Sequence, residues 1–61
     1  MEYTRIYTCR RKDGRVVKMW RREDGWYGVD VSTDGDRWFR TKFMSDTIAP
    51  AYRAYNEYCA Q

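Results

Sequence analysis

"RRKDGRVVKMWRREDGWYGVDVSTDGDRWFRTKF", residues 10–43, holds three Asp-Gly pairs at ten- or eleven-residue spacing: Asp13-Gly14, Asp24-Gly25 and Asp34-Gly35. Each lies between β-rich runs, which is the pattern of a meander. Asp-Gly can close a two-residue hairpin loop, or a three-residue loop whose type I turn is followed by a left-handed glycine. One residue of loop length moves every later side chain to the opposite face, so the apolar pattern selects between them.

Three-residue loops give the better pairing at all three turns. Glu23-Asp24-Gly25 sets Met19 against Val29, Val17 against Val31, Lys18 against Asp30 and Trp20 over Gly28. Lys12-Asp13-Gly14 sets Tyr7 against Met19, Cys9 against Val17 and Ile6 against Trp20. Thr33-Asp34-Gly35 sets Val29 against Phe39, Tyr27 against Thr41, Asp30 against Trp38 and Trp26 against Lys42. Opposite charges and aromatic–glycine pairs facing each other across strands are favourable.

Two faces result. One holds Tyr7, Cys9, Val17, Met19, Tyr27, Val29, Val31, Phe39 and Phe43. The other holds Ile6, Lys18, Trp20, Arg22, Trp26, Asp30, Trp38, Arg40 and Lys42. The C-terminal "SDTIAPAYRAYNEYCAQ" reads as a helix with Thr47 as N-cap and Pro50 in the first turn, where its missing N–H costs nothing. Ile48, Ala51, Tyr52, Tyr55 and Cys59 form its apolar stripe, which should cover the first face. The expected fold is α+β. A four-stranded antiparallel meander in order 1-2-3-4 (about 3–11, 15–22, 26–32 and 37–43) carries one C-terminal helix (about 47–59) packed on one face, all within a single domain.

A chain of 61 residues buries only about 60% of its unfolded surface, so one sheet face under one helix is all the core available. The opening Met1, with no apolar leader and no 18-residue apolar run, leads us to expect a complete, soluble, cytoplasmic protein without membrane contact. On that expectation two thiols such as Cys9 and Cys59 more often stay reduced than pair, and the sequence leaves open which they do. Charge is uneven: residues 1–22 carry eight cations and two acids, whereas residues 23–61 carry four cations and seven acids. A basic first third suggests an acidic partner, although charge also protects an edge hairpin from aggregation.

Enzymatic chemistry is not expected. There is no histidine, Ser32 and Ser45 have no base near them in sequence, and the acids fall at turns. Asp30, Ser32, Asp34 and Gly35 imitate a calcium loop. However, Thr41 stands where the bidentate glutamate belongs, so we expect a hairpin and no metal or cofactor. What remains is the face left open by the helix, with three tryptophans among cations. Such a face can stack on bases while its cations meet phosphates, or it can serve as a protein hot spot. A homodimer would also bury it.

The stretch Arg10-Arg11-Lys12-Asp13-Gly14-Arg15, then "WYGVDVSTDGDRWFRTKF", then a helix with Ala51, Tyr52, Ala54 and Tyr55, resembles AP2-type domains and the N-terminal domains of phage and transposon integrases. The resemblance implies a sheet laid on DNA, with contacts from Lys18, Trp20, Arg22, Trp26, Trp38, Arg40 and Lys42. The chain departs from that pattern in a strand ahead of it and in Asp24, Asp30, Asp34 and Asp36. The leading expectation is therefore a module that binds DNA or RNA. Arg10, Arg11, Lys12 and Arg15 would hold the backbone, and Trp20, Trp26, Trp38, Arg22 and Arg40 would read or stack. The alternative is a small phage-type inhibitor that blocks a host protein complex through the same surface.

Overall fold

The computed structural model describes residues 2–35 and 37–61; Met1 and Asp36, both named above, lie outside the described residues. Four antiparallel strands, β1 (Tyr3–Arg10), β2 (Val16–Arg22), β3 (Tyr27–Ser32) and β4 (Phe39–Ser45), form one sheet in order 1-2-3-4. The helix α1 (Ile48–Ala60) follows. Thr47 is its N-cap in extended conformation, and Pro50 lies in the first turn as expected.

The first two turns form as the sequence indicates, and their geometry shows why. In each, an arginine stands two residues before the aspartate. Arg11 N donates to Arg15 O at 2.7 Å and Arg22 N to Trp26 O at 2.7 Å, so each loop holds three residues. Gly14 and Gly25 close them at φ 87° and 93°, where a Cβ would be strained. Asp13 Oδ1 accepts from Arg15 N at 3.0 Å while its Oδ2 meets Arg11 Nη2 at 2.7 Å. Asp24 repeats the arrangement with Trp26 N at 3.2 Å and Arg22 Nη2 at 2.7 Å. One carboxylate thus fastens both the turn and the strand that enters it.

The third turn differs. Ser32, not an arginine, stands two residues before Asp34, and its hydroxyl bonds Gly35 O while accepting from Val16 N at 2.8 Å. The closing bond runs from Thr33 N to Trp38 O at 2.7 Å, which makes the loop longer than the expected three residues. β4 therefore begins two residues later than expected and pairs in another register: Ser32 with Phe39, Val31 with Arg40, Asp30 with Thr41 and Val29 with Phe43. A bulge between Asp30/Thr41 and Val29/Phe43 leaves Lys42 unpaired. Phe39 consequently moves to the open face, and Arg40 stands opposite core Val31. Trp38 leaves the sheet for the loop.

β1 carries its own correction. Tyr7 pairs with Met19 and Cys9 with Val17, as expected, but a bulge at Ile6 places Arg5, not Ile6, opposite Trp20. Ile6 packs with the core on the helix side, and Tyr3 and Arg5 gain the open face. The β2–β3 register holds throughout, from Val17/Val31 to Trp20/Gly28.

Under α1, Val17, Met19 and Val29 are fully buried and pack with Val31, Ala51, Ala54 and Tyr55. Tyr7, Tyr52 and Ile48, expected in this core, are about half exposed. Tyr7 and Tyr52 instead ring Tyr55 at the edge, with centroids 5.6 and 5.7 Å from Tyr7. The more frequent outcome, reduced thiols, is not the one found: Cys9 and Cys59 are joined by a disulfide that ties the end of α1 to β1. Both thiols sit on the stripe and face that the helix brings together.

The bond spans 50 residues of sequence, a loop whose closure is worth about 4 kcal/mol against the unfolded chain. Reduction, or Cys9→Ser with Cys59→Ser, is expected to lower the thermal midpoint by about 16–32 °C. Thermal melts with and without reductant check this, and identical melts would show that the bond does not contribute.

Candidate nucleic-acid interface

The face opposite α1 is organised in cross-strand rows. Arg10, Val16, Ser32 and Phe39 form the first, and Thr8, Lys18, Asp30 and Thr41 the second. Beyond the β1 bulge come Arg5, Trp20, Gly28 and Met44, then Tyr3 beside Arg22. Because the strands run in order 1-2-3-4, the basic first third of the sequence becomes the β1–β2 side of the sheet. Uneven charge along the chain is thus uneven charge across the surface.

Trp20 lies on this face, as expected, but not in water; it is 8% exposed. Gly28 opposite has no side chain, so the indole lies flat on the backbone there. A Cβ on Gly28 would fall 2.0 Å from the ring. Tyr3 seals the indole edge-on, with centroids 5.0 Å apart at 69°. Trp20 Nε1 has no hydrogen-bond partner among the described residues. The expected stacking residue is therefore a second, smaller core on the uncovered face. Tyr3, at 58% exposure, presents the outward aromatic surface in its place.

The other tryptophans stay in solvent. Trp26 is 39% exposed beside the second turn, and Trp38 is 72% exposed on the β3–β4 loop. Several expected cations are held by internal partners. Arg11 pairs with Asp13, and Arg10 Nη1 donates to Gly14 O at 3.0 Å. Arg22 grips Asp24 through both Nε and Nη2. The hydrogen bond to Asp24 raises the Arg22 guanidinium above its ordinary value. Lys12 and Arg15 are exposed at the first turn.

Lys18 Nζ sits 4.1 Å from the Phe39 ring centroid, a cation–π contact made possible by the shifted β4 register. Asp30 Oδ1 accepts from Thr41 Oγ1 at 2.8 Å. Tyr3, Arg5, Lys18, Trp20 and Asp30 together line a shallow cleft of about 450 Å³. The structure thus brings Lys18 and Trp20 together with Tyr3, Arg5 and Asp30. Arg40 and Trp38 lie away from them. Tyr3 and Arg5 were missed because a bulge leaves no mark in the apolar pattern. Asp30 was placed on the face without a contact role.

No group of three or more His, Cys, Asp or Glu among the described residues could hold a metal ion. No described helix is long and apolar enough to cross a membrane. Neither a family model, nor a curated protein, nor a solved structure matches the chain.

Asp24 is held below its ordinary value, chiefly by the Arg22 hydrogen bond; desolvation opposes this, and the Trp26 amide adds to the lowering. Asp13 is lowered first by the Arg15 amide. A carboxylate whose pKa is depressed by folding stabilises the protein above the unfolded value of about 3.9. That contribution disappears as pH falls through the lower folded value. Urea unfolding from pH 5 to pH 2 should therefore show a shallower acid loss of stability in Asp13→Asn/Asp24→Asn than in the parent. Parallel curves would mean that these turn carboxylates do not carry acid sensitivity.

Proposed function

We propose that this chain is a nucleic-acid-binding module whose contact surface is the open sheet face and the basic β1–β2 side. The observation that carries this reading is the clustering of Arg5, Lys18 and the outward ring of Tyr3 around one cleft on the face opposite α1. Cations beside exposed rings suit a polymer with a charged backbone and flat bases, because stacking and phosphate attraction are then satisfied together. Arg10, Lys12 and Arg15 extend the positive surface along the first hairpin. Trp26 and Trp38 stand at opposite ends of the sheet, on turns, where they can meet a strand running across it.

A protein partner is the second reading, favoured by Trp38, whose exposed ring lies on the long loop away from the cationic side. The disulfide bears on setting. Cys9–Cys59 is at home in an oxidising milieu, and a cytoplasmic placement loses the support that reduced thiols would have lent it.

Anisotropy titrations with labelled single-stranded and duplex 12-mers should show binding at low salt that weakens steeply as salt rises. The expected logarithmic slope is about −0.7 per phosphate contacted on a single strand and −0.9 on duplex. Arg5→Glu with Lys18→Glu should weaken binding at least tenfold, whereas Arg53→Glu on the exposed side of α1 should change it little. Absence of binding at low salt ends the proposal. A monomer mass by size exclusion excludes a homodimer that buries the face.

A further inference from the structure

We infer that the cleft bounded by Tyr3, Arg5, Lys18, Trp20 and Asp30 is a subsite for one unpaired guanine base, an inference that rests on the nucleic-acid reading above. The unusual member is Asp30. Asp30 faces Lys18 across the sheet and accepts from Thr41, which suits it to the fold; a carboxylate in the middle of a phosphate-binding face would still repel the backbone, so any part it plays in binding is toward a base. The Thr41 hydroxyl occupies Oδ1 at 2.8 Å and orients the group, leaving Oδ2 and further lone pairs for a ligand.

Only guanine offers two neighbouring donors on its pairing edge, the ring N1–H and the exocyclic N2 amine, to match both oxygens of a carboxylate. Adenine and cytosine offer one amine each, and thymine or uracil one imino N–H. Guanine O6, next to N1, accepts a hydrogen bond, and Lys18 and Arg5 line the same cleft as donors. Tyr3, braced edge-on by Trp20, supplies the stacking wall. The cleft, about 450 Å³ and open to solvent, can admit a single base from a strand that lies across the face. In a duplex this edge of guanine is occupied by cytosine, so the subsite selects single strands, where pairing edges are free.

The test uses oligothymidine 8-mers, unmodified or carrying one central guanine, adenine or cytosine, titrated at fixed low salt. One guanine should raise affinity about tenfold over the thymidine strand, with adenine and cytosine between them. Asp30→Asn preserves shape and the place of the Thr41 contact. It should abolish the guanine advantage while leaving oligothymidine binding equal or tighter; its thermal melt confirms folding. Equal affinity for all four strands, or a guanine preference that survives in Asp30→Asn, overturns the subsite but not the general reading. If no strand binds the parent protein, the subsite falls, and the general reading falls with it when the duplex 12-mer is not bound either.

Discussion

Four strands expose two faces, and a single thirteen-residue helix covers one of them. The chain meets that shortage in two ways. On the helix side, valines and Met19 are sealed by Ala51, Ala54 and Tyr55, and the Cys9–Cys59 bond holds the far end of the helix in place. On the other side the sheet covers itself: Trp20 lies in the gap that Gly28 leaves, and Tyr3 closes the edge. Tyr3, Arg5, Lys18 and Asp30 are what that second cover leaves at the surface. The open face is not a uniform apolar patch in search of a lid. It is a small aromatic floor bordered by cations, with one carboxylate set among them.

The parts of the fold legible in the sequence are those governed by local chemistry. Asp-Gly turns with a facing arginine fixed two hairpins, and through them the whole β2–β3 register and most of β1–β2. The choice of face for the helix followed, because alternation does not change once a register is set. What failed to show were insertions. The extra residue at Ile6 and the one at Lys42 occupy strand-like sequence, and nothing in apolar alternation distinguishes a bulge from a strand that simply continues. The third turn departs from the other two because Ser32 provides a different anchor, although Asp34-Gly35 looks like its predecessors in sequence.

These misses exchanged residues between roles. Phe39 went from presumed core to partner of Lys18, and Arg40 crossed to the helix side. Trp20 became structural although its face was right, since a glycine opposite an indole permits burial without any helix. Tyr3 and Arg5 took its place at the surface. Arg11 and Arg22, conspicuous in sequence as free cations, are bound to the aspartates that shape their own turns. Counting charges along a strand overstates the charge on offer when the same residues are needed to hold a hairpin closed.

The most direct measurement is a residue-level map of contact, by amide and side-chain NMR shifts during titration with a guanine-containing single strand. The account predicts shifts concentrated at Tyr3, Arg5, Lys18, Asp30 and Phe39, with Ile48, Tyr52 and Arg53 on the helix side unmoved. Shifts centred on the helix, or spread evenly over both faces, would contradict it.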